Sequence, residues 1–109
     1  MEIKKAQEIV KNHLIKIGYT KIEKDPCQAF LHLSEEVGEL ARSLLHKLTS
    51  RRIMNNKTSP SDIEDELADV FWQTLKLAFY LDIDLESAFV KKYEKNKQKG
   101  MPNWNNKEL

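Results

Sequence analysis

The stretch Ile63-Glu64-Asp65-Glu66-Leu67-Ala68-Asp69-Val70 reads apolar, two polar, Glu, apolar, small, acid, apolar, and Leu33-Ser34-Glu35-Glu36-Val37-Gly38-Glu39-Leu40 has the same order thirty positions earlier. On helices, Glu66 with Asp69 and Glu36 with Glu39 are i,i+3 pairs, each on one side of its helix. Face to face, the two pairs would gather four carboxylates. Like charges a few ångströms apart repel by several kcal/mol at intermediate dielectric, so such a cluster calls for a cation.

Working outward, apolar residues around both motifs recur at helical spacing. At ~100° per residue, Phe30, Leu33, Val37, Leu40, Leu44 and Leu48 form one stripe, with His32, Glu36, Glu39 and Ser43 beside it. Downstream, Ile63, Leu67, Val70, Leu77 and Leu81 form a second stripe, which Phe71, Trp72, Leu75 and Phe79 extend. Only a narrow strip with Asp62, Glu66, Asp69, Gln73, Lys76 and Tyr80 stays polar. A helix apolar over most of its circumference is central, covered by its own domain or by another subunit. Its polar strip is therefore expected to face an internal polar site.

Punctuation sets the ends. Asp25-Pro26 supplies an N-cap and a first-turn proline, with Gln28 placed for a capping box, and Ser59-Pro60 repeats the signal. Ile3, Ala6, Val10, Leu14 and Ile17 mark a first helix stopped by Gly18, and Asp82 or Asp84 caps a last one. The expected helices cover about 2–17, 26–49, 60–81 and 85–99, with a polar, basic loop at 50–59. No alternating run suggests a strand. The chain reads as one all-α domain, a four-helix bundle with a carboxylate metal site between the second and third helices.

The formal net charge of +1 conceals a pattern. Residues 1–24 and 85–109 each carry six basic and three acidic side chains, or +3, while residues 25–84 carry six basic and eleven acidic, or −5. No globally basic surface calls for nucleic acid. The single Cys27 excludes an internal disulfide and suits a reducing compartment, with a buried packing role expected. Neither a signal-peptide run nor ~18 consecutive apolar residues is present, so a cytoplasmic chain without membrane partners is expected. On the fourth helix, the face carrying Leu85, Ala88 and Phe89 continues as Lys92, Asn96 and Lys99. That basic end suits either a helix dipole or a bound phosphate.

The order Glu35-Glu36-x-x-Glu39, twenty-six residues, then Glu66-x-x-Asp69 resembles the motif of the MazG-type nucleoside triphosphate pyrophosphohydrolases. The resemblance runs from about Pro26 to Gly100 and closes with Lys92-x-x-x-Asn96-x-x-Lys99. It implies an all-α, Mg²⁺-dependent enzyme that cleaves between the α- and β-phosphates, releasing a nucleoside monophosphate and pyrophosphate, in nucleotide-pool house-cleaning. It further implies that Glu36, Glu39, Glu66 and Asp69 hold metal and that Lys92 and Asn96 contact substrate phosphates. Lys99 stands where many relatives have Arg, which keeps the charge and loses the planar donor fork. Independently, an all-oxygen set suits Mg²⁺, with Mn²⁺ as substitute, better than zinc. Glu35 is the candidate to orient or deprotonate the attacking water, although its wheel position points away from Glu36.

Other readings compete. A ferritin-like di-iron site needs Glu-x-x-His, which neither motif has. His32, one turn before Glu36, reads as a polar surface side chain, with a place behind the metal ligands as the alternative. A non-catalytic helical oligomer or interaction module leaves four converging acids without a purpose. Phosphoribosyl-ATP pyrophosphohydrolase, which has a related core, is separable by substrate. A four-helix protomer is too small to cover the third helix, so a homo-oligomer, dimer or tetramer, is expected.

Overall fold

A computed structural model describes residues 2–48 and 60–99. Four α-helices, α1 (Ile3–Lys16), α2 (Pro26–Leu48), α3 (Pro60–Leu81) and α4 (Leu85–Gln98), account for most of them, with a 3₁₀ turn at Tyr19–Lys21. No strand occurs among the described residues, and no described helix is long and apolar enough to cross a membrane. The expected loop at 50–59 and the Ser59 cap lie outside the described residues.

Local chemistry sets the helix ends. Gly18 ends α1 in the left-handed region, at φ 72°, where a side chain would be strained. At α2 the Asp25 carboxylate accepts from Gln28 N at 2.9 Å, while the Gln28 carboxamide accepts from Lys24 N at 2.6 Å, one residue before the usual capping-box target. The turn out of α3 is a Schellman motif, in which Ile83 N donates to Ala78 O and Asp82 N to Phe79 O. Asp82 occupies its left-handed position, with φ 54°. Asp84 then caps α4 by accepting from Ser87 N at 3.0 Å.

α2 and α3 pack as an antiparallel hairpin, since His32 meets Lys76 near one end and Glu39 groups with Glu66 near the other. α1 lies along α3 and buries Ala6, Val10 and Leu14 around Leu75, with the His13 ring edge-on to Trp72. α4 docks on α1 through its first turn: Lys4 N donates to Glu86, and the Gln7 carboxamide bridges Ile83 O and Leu85 N.

Beside the buried Leu75 and Ala78, α3 also turns polar side chains inward and leaves apolar ones outside. Lys76 and Gln73 are 1% and 8% exposed, whereas Leu67 and Phe71 are 55% and 49% exposed. The α2 stripe behaves alike: Phe30, Val37 and Leu44 stay exposed. The expectation that the polar strip faces inward is thus met by α2. Of the apolar flanks, expected to be covered, Leu75 is buried with Trp72 and Phe79 packed beside it, while Leu67, Phe71 and Leu81 are not covered within one protomer. Cys27 is exposed rather than buried, because its turn of α2 borders an apolar groove with Phe30, Leu31, Leu77 and Leu81.

Candidate metal centre

The hairpin brings three of the expected ligands together. Carboxylate oxygens of Glu36, Glu39 and Glu66 lie within 4.8 Å of one another. Asp69 is near enough that its charge acts on both Glu36 and Glu66. In Glu36 burial, then the charges of Glu39 and Asp69, push the carboxyl above its ordinary range, with a smaller opposing pull from His32. In Glu66 burial leads again, followed by the charges of Glu39, Asp69, Asp62 and Asp65.

Two oxygens in this cluster lack a protein partner. Glu36 Oε2 and Glu66 Oε2 are shielded from solvent and accept no hydrogen bond. A buried, unsatisfied carboxylate oxygen costs more than a neutral acceptor would, and a cation bound between them would satisfy both. The donor set is all oxygen and strongly negative, so the residues present fit a hard divalent ion.

Glu35 departs from the position its wheel angle suggests. Although exposed, it brings an oxygen within 4.8 Å of ligand atoms of both Glu36 and His32. The basic residues of α4 are not brought to the acids in one protomer. Lys92 and Lys99 are exposed and Asn96 half-buried, and no hydrogen bond or ion pair joins them to the cluster among the described residues.

Behind the acids lies a buried network. Lys76 Nζ sits 2.9 Å from each carboxylate oxygen of Glu23 and 2.8 Å from His32 Nδ1, over the Tyr19 ring at 4.8 Å. The Tyr19 hydroxyl lies 3.3 Å from Glu23 Oε2, and the Tyr80 hydroxyl donates to the Glu23 carbonyl. Burial, then the Glu23 charge, raises both phenols above their ordinary value. The opposite edge of His32 meets the metal cluster, with Nε2 3.6 Å from Glu36 Oε1. His32 is therefore not a free surface side chain but stands between an ion pair and a candidate ligand.

Glu23 carries no sequence signal, because it lies between helices where periodicity is silent. Lys76 carried a signal: it shares the polar strip of α3 with Glu66 and Asp69.

Residues 25–101 match the family model for the MazG nucleotide pyrophosphohydrolase domain. Uncharacterized protein YpjD of Bacillus subtilis (strain 168) is 32% identical over 83 residues, covering 76% of this chain and 74% of that protein. No solved structure matches the chain. The family match takes in both acidic motifs and the whole α2–α3 hairpin that gathers them, and the chain belongs to the MazG nucleotide pyrophosphohydrolase family.

Proposed function

We propose that the protein is a Mg²⁺-dependent nucleoside triphosphate pyrophosphohydrolase, with Mn²⁺ as a working substitute, that yields a nucleoside monophosphate and pyrophosphate. The observation that carries this reading is the pair of shielded, unpartnered oxygens on Glu36 and Glu66 inside a cluster of family-matched acids. Glu36, Glu39, Glu66 and Asp69 would hold the cation, which supplies Lewis-acid polarisation of the phosphates and a lowered pKa for water. Glu35, exposed with an oxygen within 4.8 Å of a Glu36 ligand atom, would orient the attacking water or take its proton. Lys92, Asn96 and Lys99 would bind the phosphates, and the charge of Lys92 would offset the negative charge growing on them as the bond breaks.

The same reading includes a homo-oligomer. The half-exposed Leu67 and Phe71, with the groove beside Cys27, form apolar surface of the kind that subunits cover. Packing of a second protomer would also give the basic end of α4 an acid cluster to reach. House-cleaning of the nucleotide pool is the role proposed for the activity.

The test is pyrophosphate release from canonical and modified nucleoside triphosphates and from phosphoribosyl-ATP, with Mg²⁺, with Mn²⁺ and with chelator. Release is expected only with metal, abolished by Glu36→Gln and reduced less severely by Lys92→Ala. Equal release with chelator, or full activity in Glu36→Gln, would overturn the proposal, and preference for phosphoribosyl-ATP would move it to that relative.

A further inference from the structure

His32 presents a choice of ligand sets. Its ring, Glu35 and Glu36 bring ligand atoms within 4.8 Å of one another, as do Glu36, Glu39 and Glu66. The first set contains an imidazole, which favours zinc and other borderline metals. The second is all oxygen and favours Mg²⁺ or Mn²⁺. Glu36 belongs to both, so the state of the His32 ring decides which set is available.

The buried ammonium settles that state. An ammonium group has three hydrogens and no acceptor. With Lys76 Nζ 2.8 Å from His32 Nδ1, the ring nitrogen must be the acceptor, so Nδ1 carries no proton. The proton of the neutral ring is then on Nε2, which faces Glu36 Oε1 at 3.6 Å. Glu23, 2.9 Å from Nζ through each oxygen, is the ion-pair partner that holds Lys76 in place although it is only 1% exposed. Tyr19 Oη also lies 3.3 Å from Nδ1, but its hydroxyl is directed to Glu23 and leaves the ring nitrogen to Lys76. Neither ring nitrogen can then ligate, since Nδ1 is occupied by the ammonium and Nε2 is protonated.

We propose that Lys76 is a metal-selectivity residue: by donating to His32 Nδ1 it holds the ring as the Nε2–H tautomer, withdraws it from ligation and reserves Glu36 for the all-oxygen set. This rests on the reading of the acid cluster as a divalent metal site. Lys76 is a positioning residue that touches neither metal nor substrate. His32 Nε2 faces Glu36 Oε1 at 3.6 Å without a hydrogen bond, and Glu36 Oε2, the unpartnered atom, is left for the cation.

Two measurements test the proposal. The first is the ¹⁵N–¹H correlation of His32 in the metal-free wild-type protein, which reports which ring nitrogen bears the proton and needs no variant and no activity. The Nε2–H pattern is expected, and the Nδ1–H pattern overturns the proposal. The second is competition between Zn²⁺ and Mn²⁺, read by Mn²⁺ electron paramagnetic resonance, in wild type, Lys76→Met and Lys76→Met/His32→Phe.

In Lys76→Met, Glu23 Oε2, 3.4 Å from Nδ1, becomes the acceptor for an Nδ1–H and frees Nε2 to ligate. Affinity for Zn²⁺ relative to Mn²⁺ should then rise by at least about tenfold, the scale of effects behind a metal's ligands, and fall back in the double variant. An unchanged ratio in Lys76→Met, or a raised ratio that persists without His32, overturns the proposal. If wild type shows the Nε2–H pattern but binds no Mn²⁺, the reading of the acid cluster as a metal site fails, and selectivity with it, while the tautomer assignment stands. A Lys76→Met chain that does not fold leaves the wild-type spectrum as the decisive result.

Discussion

Replacing Glu66 with Gln should make the metal-free protein more stable while removing its response to metal. Ligand oxygens of Glu36, Glu39 and Glu66 lie within 4.8 Å of one another. Two unit charges at that separation repel by about 3.5 kcal/mol at an effective dielectric near 20 and by about 0.9 kcal/mol in bulk water. Glu66 meets two such neighbours, but Glu39 is exposed and solvent screens it, so the lower limit governs and about 2 kcal/mol of repulsion is relieved. For 109 residues the unfolding entropy is about 0.23 kcal/mol/K, so the melting midpoint in chelator should rise by about 9 °C.

Wild type should gain comparably from cation alone, about 2.7 kcal/mol at one hundred times the dissociation constant. In Glu66→Gln that gain should largely vanish. The measurement is thermal unfolding by circular dichroism at fixed protein concentration, with and without Mg²⁺ or Mn²⁺. A variant no more stable than wild type in chelator, or one that gains as much from the cation, refutes the reasoning.

The pH dependence follows from the same groups. In the metal-free protein Glu36 and Glu66 hold their protons above the ordinary carboxylate range, so between that range and their raised values the folded state binds more protons than the unfolded. Stability should therefore fall as pH rises through that window, with no penalty below it and the full penalty above, and saturating Mg²⁺ should flatten the slope.

Lys76→Ala and Glu23→Ala should each lower stability by roughly 3–5 kcal/mol in urea unfolding, because each strands a buried charge, whereas Lys76→Met with Glu23→Leu should recover most of the loss. Additive losses in that cycle would show that the two side chains do not act as a pair. Phe30→Asp with Leu31→Asp should reduce the mass in light scattering to that of a monomer and leave Cys27 fully reactive toward thiol reagents, with helical circular dichroism retained. A wild-type chain already monomeric at high concentration would remove the oligomer from the proposal.

The parts of the molecule legible in sequence are those governed by local rules. α2 and α4 begin where Asp25-Pro26 and Asp84 place them, and α1 stops at Gly18, because caps and a positive φ are decided within a few residues. The meeting of Glu36 and Glu39 with Glu66 was readable from two matched registers, since an antiparallel hairpin brings equivalent faces together. Glu23 was not readable. It lies outside any helix, and its partner Lys76 is fifty-three positions away, so only tertiary packing joins them. Cys27 departs from its expected burial for a related reason: a small apolar side chain is buried only if something covers it, and in this chain its groove stays open.

The docking of α4 on α1 has a consequence for synthesis. Gln7 takes both of its hydrogen bonds from the far end of the chain, at Ile83 and Leu85, and Lys4 N finds Glu86 eighty-two positions away. At about 5–20 residues per second on the ribosome, the first helix waits roughly 4–16 s for those partners to be made. The hairpin that carries the acids is complete by Leu81, before the last helix exists. The nascent chain can thus build its charged centre, and seat the apolar face of α1 against Leu75 of α3, before the contacts of α1 with α4 form.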